Sequence, residues 1–255
     1  MNAKKPGELL RGCKCVAIPF AGGMCEVPFM TANIILVNDL DRAVMNCAYI
    51  VQERADELIK LLGGCPFHPD VLAKAQEYCK WAETEKPTQR IEWAYWYFIA
   101  SWMTRGGKMG SKGEFDQGLS IRWKSTGGDS VVRFRNATEG LAEWSKVMRR
   151  CTFTTLDALE FLGECRKRDI PENGIYCDAP WPDDGDKYVH QVDQHALAKL
   201  LASFERTKVV VRFGDHPLVR ELYPEDRWTW NLLKSRTQAN NEKAEVLLTN
   251  WKATS

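Results

Sequence analysis

Gly174-Ile175-Tyr176-Cys177-Asp178-Ala179-Pro180-Trp181 is an apolar run that stops abruptly at a carboxylate. The run predicts a short buried strand, and Asp178 opens the turn, stiffened by Pro180, that ends it. The residues past the strand end suit a pocket for a planar base bearing an amine. Asp178 is placed to accept a hydrogen bond from an exocyclic amine, the carbonyl of Ala179 to accept the second amino hydrogen, and Trp181 to offer a face for stacking. Such a set fits transfer of an electrophilic carbon to nitrogen. A strand end with a proline turn and a packed tryptophan is the plainer reading of the same residues.

Outward from this stretch, Cys15-Val16-Ala17-Ile18-Pro19-Phe20 reads as a second buried strand, and Ala21-Gly22-Gly23-Met24 as a tight turn leading into a helix. Glycines at a strand-to-helix turn let the backbone approach a cofactor closely. Ile34-Ile35-Leu36-Val37 forms another strand, ending in Asn38-Asp39-Leu40-Asp41. An acid at that end can hold vicinal ribose hydroxyls; Asp39 is the first candidate, and Asp41 fits the N-terminus of the next helix. Further strands are expected at Cys151-Thr152-Phe153, Val209-Val210-Val211 and Val246-Leu247-Leu248, most of them separated by helices. The expected fold is therefore α/β, with its ligand edge at the carboxyl ends of the strands, where Gly22, Gly23 and Asp178 all fall.

In order, these pieces resemble the Dam-like (D12 class) N6-adenine DNA methyltransferases, and the resemblance spans nearly the whole chain. Pro19-Phe20-Ala21-Gly22-Gly23 resembles the family's Phe-x-Gly-x-Gly loop, Asn38-Asp39 its ribose-binding acid, and Asp178-Ala179-Pro180-Trp181 its Asp-Pro-Pro-Tyr/Trp catalytic turn. Glu245-Val246-Leu247-Leu248-Thr249-Asn250 is similar to its closing Glu-x-Leu-x-x-Asn strand. The resemblance implies a Rossmann-like methyltransferase sheet, S-adenosylmethionine as cofactor, double-stranded DNA as partner, and Asp157 as a contact to the cofactor's adenine ring. Asp157 equally fits the cap of a helix over 158–168. Three departures stand out. Met24 occupies the place of the loop's second glycine, Ala179 replaces a proline, and the N-terminal Gly-Gly-Lys element has no counterpart beyond Lys5-Pro6-Gly7 or the segment around Arg11. The motif by itself does not separate adenine N6 from cytosine N4, and a non-catalytic DNA-binding relative keeps the same fold.

Residues 1–51 and 151–255 are expected to form the catalytic domain, and 52–150 an inserted, mainly helical target-recognition region. A chain of 255 residues, 44% hydrophobic, suffices for both. The net charge of +1 excludes a generally basic surface, so any DNA contact must be a local patch. Between Trp102 and Arg150 ten Lys and Arg face five acids, a local excess of +5. The loop carrying Arg105, Lys108 and Lys112 is rich in glycine and suited to phosphates. Ser120-Ile121-Arg122-Trp123 and Val131-Val132-Arg133-Phe134-Arg135, joined through Gly127-Gly128-Asp129, predict a hairpin whose Arg122, Arg133 and Arg135 support groove reading. Helices are expected at 56–62, 69–83, 88–103 and 137–149. The aromatic stretch Glu92 to Trp102 reads as core packing, with Trp102 alone placed to touch DNA.

Tyr188, in an acidic segment past the catalytic turn, is a candidate to close over a flipped base. His190 and His195 lack a third ligand, so no metal is expected. Nine cysteines without paired Cys-x-x-Cys clusters argue against a zinc module or a secreted disulfide framework, and point to reduced thiols in the cytoplasm. No apolar run is long enough to span a membrane.

Overall fold

The short apolar runs pair side by side into one seven-stranded sheet. In the computed structural model, which describes residues 3–87, 90–104, 118–121, 128–182, 191–236 and 242–252, the strands are β1 (Cys15–Ile18), β2 (Ile34–Asn38), β3 (Cys151–Thr154), β4 (Asn173–Cys177), β5 (Lys208–Gly214), β6 (Thr229–Arg236) and β7 (Glu242–Thr249). Their order is β3-β2-β1-β4-β5-β7-β6. The first five run parallel, whereas β7 is antiparallel to both β5 and β6. Over β3-β2-β1-β4-β5 this is the doubly wound order, with antiparallel β7 set between β5 and β6. The mixed α/β class expected from the sequence is therefore present, in a form compatible with a Rossmann-like fold.

Continuous apolar runs mark strands covered on both faces. Accordingly Val209, Val210 and Val211 are fully buried, and Ile175, Cys177, Phe213, Val246 and Leu248 join them in the core. Helix α1 (Lys4–Leu9) precedes the first strand, and helices α6 (Ala158–Arg166) and α7 (Gln194–Ala202) contribute Phe161, Leu162, Leu197 and Leu201 to the core. Both α6 and α7 begin at an aspartate, Asp157 or Asp193, whose side chain accepts two backbone N–H groups.

Two local expectations fail here. The first strand ends at Ile18 rather than Phe20, because Pro19 has no N–H to donate to a ladder. The glycine turn leads to a single 3-10 turn, Val27–Phe29, because only a short segment separates it from β2.

The chain divides into two compact units, Met1–Leu40 with Arg150–Ser255, and Asp41–Arg149. The second begins eleven residues before the expected boundary at 52, because Asp41 caps a helix, α2 (Arg42–Gly63), that starts well ahead of the one read at 56–62. Arg54 is non-helical within it, at φ −137°, which divides the periodic pattern. Helices α3 (Pro69–Glu85), α4 (Ile91–Met103) and α5 (Ser130–Met148) complete this unit. Trp93, Phe98, Ile99 and Met103 of α4 are buried, as expected for core packing, while Trp102 is 38% exposed.

The hairpin expected over 120–135 is corrected. Its second strand is the start of α5, where Asp129 Oδ1 accepts the N–H groups of Val131 (2.7 Å) and Val132 (3.0 Å). Phe134, Thr138, Leu141, Ser145 and Met148 then recur at helical spacing as the buried face, so the helix expected from 137 starts seven residues earlier. Arg133 and Arg135, two residues apart on a helix, point to different sides and do not form one basic face. Among the described residues no helix is long and apolar enough to cross a membrane.

Candidate active site

Five parallel strands bring their carboxyl ends to one rim. The strand order reverses between β1 and β4, the switch point at which doubly wound folds bind their ligands. The glycine turn comes after β1 and Asp178 after β4, so both border that switch point. Asp39 comes after β2, and Asp157 after β3, separated by Thr155 and Leu156 from Thr154, the strand partner of Asn38.

The glycine turn is closed by its own backbone and by β2. Ala21 N–H donates to the Asn38 carbonyl (3.0 Å), Met24 N–H to the Ala21 carbonyl (2.8 Å), and Gly22 N–H to Asp39 Oδ2 (2.7 Å). Gly22 has φ +44° and Met24 φ +54°. The departure at Met24 therefore places a side chain on a backbone of the kind that favours glycine, at a cost of about 1 kcal/mol. No atom lies within 4 Å of where a Gly22 Cβ would stand, and at Gly23 only Cys25 Sγ approaches, at 3.7 Å. The turn thus offers open backbone, the kind of cradle a nucleotide-bearing cofactor needs.

Asn38, fully buried, binds the neighbouring loops together. Its Nδ2 donates to the carbonyls of Pro19 (3.1 Å) and Leu156 (3.0 Å), and its Oδ1 accepts from Leu156 N–H (2.9 Å) and Thr154 Oγ1 (2.8 Å). One amide thereby sets the segments after β1 and β3 against the end of β2. Asp157 Oδ1 accepts from Leu159 N–H (2.8 Å) and Glu160 N–H (3.3 Å), so the carboxylate caps the helix that follows it.

Asp178 sits in a charged cluster. Arg212 of β5 directs Nη1 to Asp178 Oδ2 (3.4 Å) and Glu26 Oε1 (3.4 Å), and Nη2 to Glu245 Oε2 (2.8 Å). The Tyr176 hydroxyl donates to Asp178 Oδ2 (3.2 Å) and reaches Glu26 Oε1 (3.5 Å). Burial pushes the Asp178 carboxyl up, Arg212 pulls it down, and Glu26 pushes it up again, for a value of about 6. Its side chain nevertheless keeps 30% of its surface exposed, so a ligand can reach it. Burial, then Asp178 and Glu26, keep Tyr176 a neutral phenol and hence a donor. Burial works against the Arg212 charge, but its carboxylate partners outweigh it and the guanidinium stays ionised.

The rest of the catalytic turn is held from behind. Gln194 Nε2 donates to the Pro180 carbonyl (2.7 Å). Trp181 packs on the core with its ring over Gly214, where a Cβ would stand 2.9 Å from the ring; a side chain there would lift the tryptophan. Ala179 is buried.

Among the expected DNA contacts, Arg133 lies 6.0 Å over the Trp102 ring and Arg135 is exposed on α5. Arg105, Lys108, Lys112, Arg122 and Tyr188 lie outside the described residues, as does His190. Among the described residues no group of His, Cys, Asp or Glu is arranged to hold a metal. A cleft of about 450 Å³ in the helical unit is lined by Glu53, Asp56 and Glu57 against Arg54, Lys146 and Arg149, cations and acids balanced.

Glu26, Arg212 and Gln194 were not singled out by motif. Arg212 carried a signal all the same: a charge inside the apolar run Val209-Val210-Val211-Arg212-Phe213 must be paired once buried. No family model matches the chain, and no curated protein matches it.

Proposed function

We propose that this chain is an S-adenosylmethionine-dependent DNA methyltransferase acting on N6 of an adenine flipped out of duplex DNA. One observation carries the reading: the glycine turn and Asp178 flank the switch point of a doubly wound sheet, where such folds bind nucleotides. The open backbone at Gly22 and Gly23, with Asp39 beside it for ribose hydroxyls, fits the cofactor. When bound, that cofactor would supply an electrophilic methyl group, its bond to sulfur breaking to leave a neutral thioether while the proton displaced from the amine passes to solvent.

The chain's own residues account for the remaining steps. An amine inside the duplex is stacked and paired, so the base must first be everted. Trp181 offers a ring face to it, and Asp178 accepts a hydrogen bond from the amino group. As the nitrogen becomes positive on attack, the carboxylate stabilises that charge, provided it is ionised. Transfer is therefore expected to weaken as pH falls through about 6. Placement and electrostatics supply the rate enhancement, with no covalent intermediate on the protein. DNA affinity is assigned to the basic region of 102–150, to which Arg133 and Arg135 belong.

The test is transfer of labelled methyl groups from S-adenosylmethionine to plasmid DNA, with nucleoside mass spectrometry of the product. N6-methyladenine is expected. N4-methylcytosine would move the substrate to cytosine, and DNA binding without transfer would leave a non-catalytic relative.

A further inference from the structure

The reversal of strand order sends the loops after β1 and β4 apart, but it does not set the distance between them. We infer that Arg212 is the positioning residue of the proposed reaction, holding Glu26 of the loop after β1 and Asp178 of the turn after β4 on a single guanidinium nitrogen. The inference rests on the methyltransferase reading for its catalytic consequence, though not for its geometry.

Nη1 reaches both carboxylates at 3.4 Å, and Nη2 reaches Glu245 of β7 at 2.8 Å. The guanidinium is a rigid fork, so anchoring one nitrogen on Glu245 fixes the direction of the other. Glu26 lies 186 residues from Arg212 in sequence and its side chain is only 15% exposed, so this is a part-buried tertiary contact. Tyr176 repeats the bridge from β4, its hydroxyl set between the same two oxygens. The groups facing Asp178 are Arg212 from β5, Tyr176 and Cys177 from β4, Glu245 from β7, and Cys25 and Glu26 from the loop after β1. Three carboxylates on one cation leave formal charges of −3 + 1 = −2 when all are ionised. A cluster of that sign favours positive charge appearing on a substrate nitrogen. Arg212 keeps Asp178 ionised and aimed, while Glu26 opposes its ionisation and ties the glycine-turn loop to the same nitrogen.

The two partners therefore have opposite effects, which a merely structural role would not produce. In Arg212→Met the acid limb of single-turnover methyl transfer is expected to move up by about one pH unit or more, and in Glu26→Gln down by about half a unit. Arg212→Lys should return the limb to its original pH but not the full plateau rate, because an ammonium is a point charge without a fork. Carbon-13 NMR of the Asp178 carboxyl, in the same full-length proteins, reads these shifts without catalysis. Opposite displacements in the two variants support the inference. Displacements in one direction, or none, in folded Arg212→Met and Glu26→Gln overturn it; should Arg212→Met not fold, an unmoved limb in Glu26→Gln or a full plateau rate in Arg212→Lys overturns it. Should the wild-type protein transfer no methyl group while the NMR displacements appear, the methyltransferase reading falls and the positioning by Arg212 stands.

Discussion

Replacing Asp178 by Asn is expected to stabilise the fold and abolish transfer at the same pH. The carboxyl goes from 3.8 in the unfolded chain to about 6 in the folded protein, burial being the main cause. Below pH 3.8 it is protonated in both states and contributes nothing. As pH rises from there to about 6, the unfolded chain ionises first, so stability falls. Above about 6 the full penalty is present. A shift of roughly two units corresponds to about 3 kcal/mol. The side chain's partial exposure, and the loss of one of Arg212's three partners, reduce the expected gain to about 1–2 kcal/mol. Asn keeps the shape and still accepts the Tyr176 hydroxyl, so the geometry survives. Urea unfolding at about pH 4 and about pH 7.5 measures the effect: the variant should exceed wild type at the higher pH, and the difference should shrink at the lower. Methyl transfer should fall by about 10²–10³-fold near neutral pH, the scale for removing one aimed electrostatic group. An Asn variant less stable than wild type at the higher pH would refute the claim that ionised Asp178 is held at a cost. Near-normal turnover would refute its catalytic assignment.

Asp39→Ala should weaken S-adenosylmethionine binding by about 1–3 kcal/mol, read by calorimetry, since it removes the proposed ribose acid and the acceptor of Gly22 N–H. An unchanged dissociation constant would move the ribose contact elsewhere. Gly23→Ala, at ordinary φ with only Cys25 Sγ near, should leave stability within about 0.5 kcal/mol yet lower cofactor affinity, whereas Gly22→Ala at φ +44° should cost about 1 kcal/mol of stability as well; thermal unfolding beside cofactor titration separates the two. Asn38→Ala should cost about 2–4 kcal/mol, because the carbonyls of Pro19 and Leu156 lose their shared donor, and a smaller loss in chemical unfolding would contradict the hub. Neutralising Arg105, Lys108 and Lys112 together should weaken duplex binding and flatten its salt dependence by about 0.9 in the log-log slope per phosphate contact, with cofactor affinity unchanged. Original affinity and slope would transfer the DNA contact to other basic residues.

The range of each interaction decides how much of the protein was legible in one dimension. Strand runs such as Val209-Val210-Val211 declare themselves because burial on both faces demands uninterrupted apolar residues, and the turns at Gly22 and Asp178 because a backbone conformation or a strand end is a local property. The segment Val131-Val132-Arg133-Phe134-Arg135 was ambiguous for the same reason. Five residues fit either period, and the helix was selected by Asp129 capping its first turn and by Phe134 packing on Phe67 and Phe98. Strand order, and with it the switch point between β1 and β4, is set by which hydrophobic faces cover which, and no stretch of chain encodes that alone. The convergence of Glu26, Asp178, Arg212 and Glu245 likewise exists only once β4, β5 and β7 lie side by side. A carboxylate in water needs no partner, whereas one buried at a strand end does, so the pairing that tunes Asp178 appears only after folding removes the solvent.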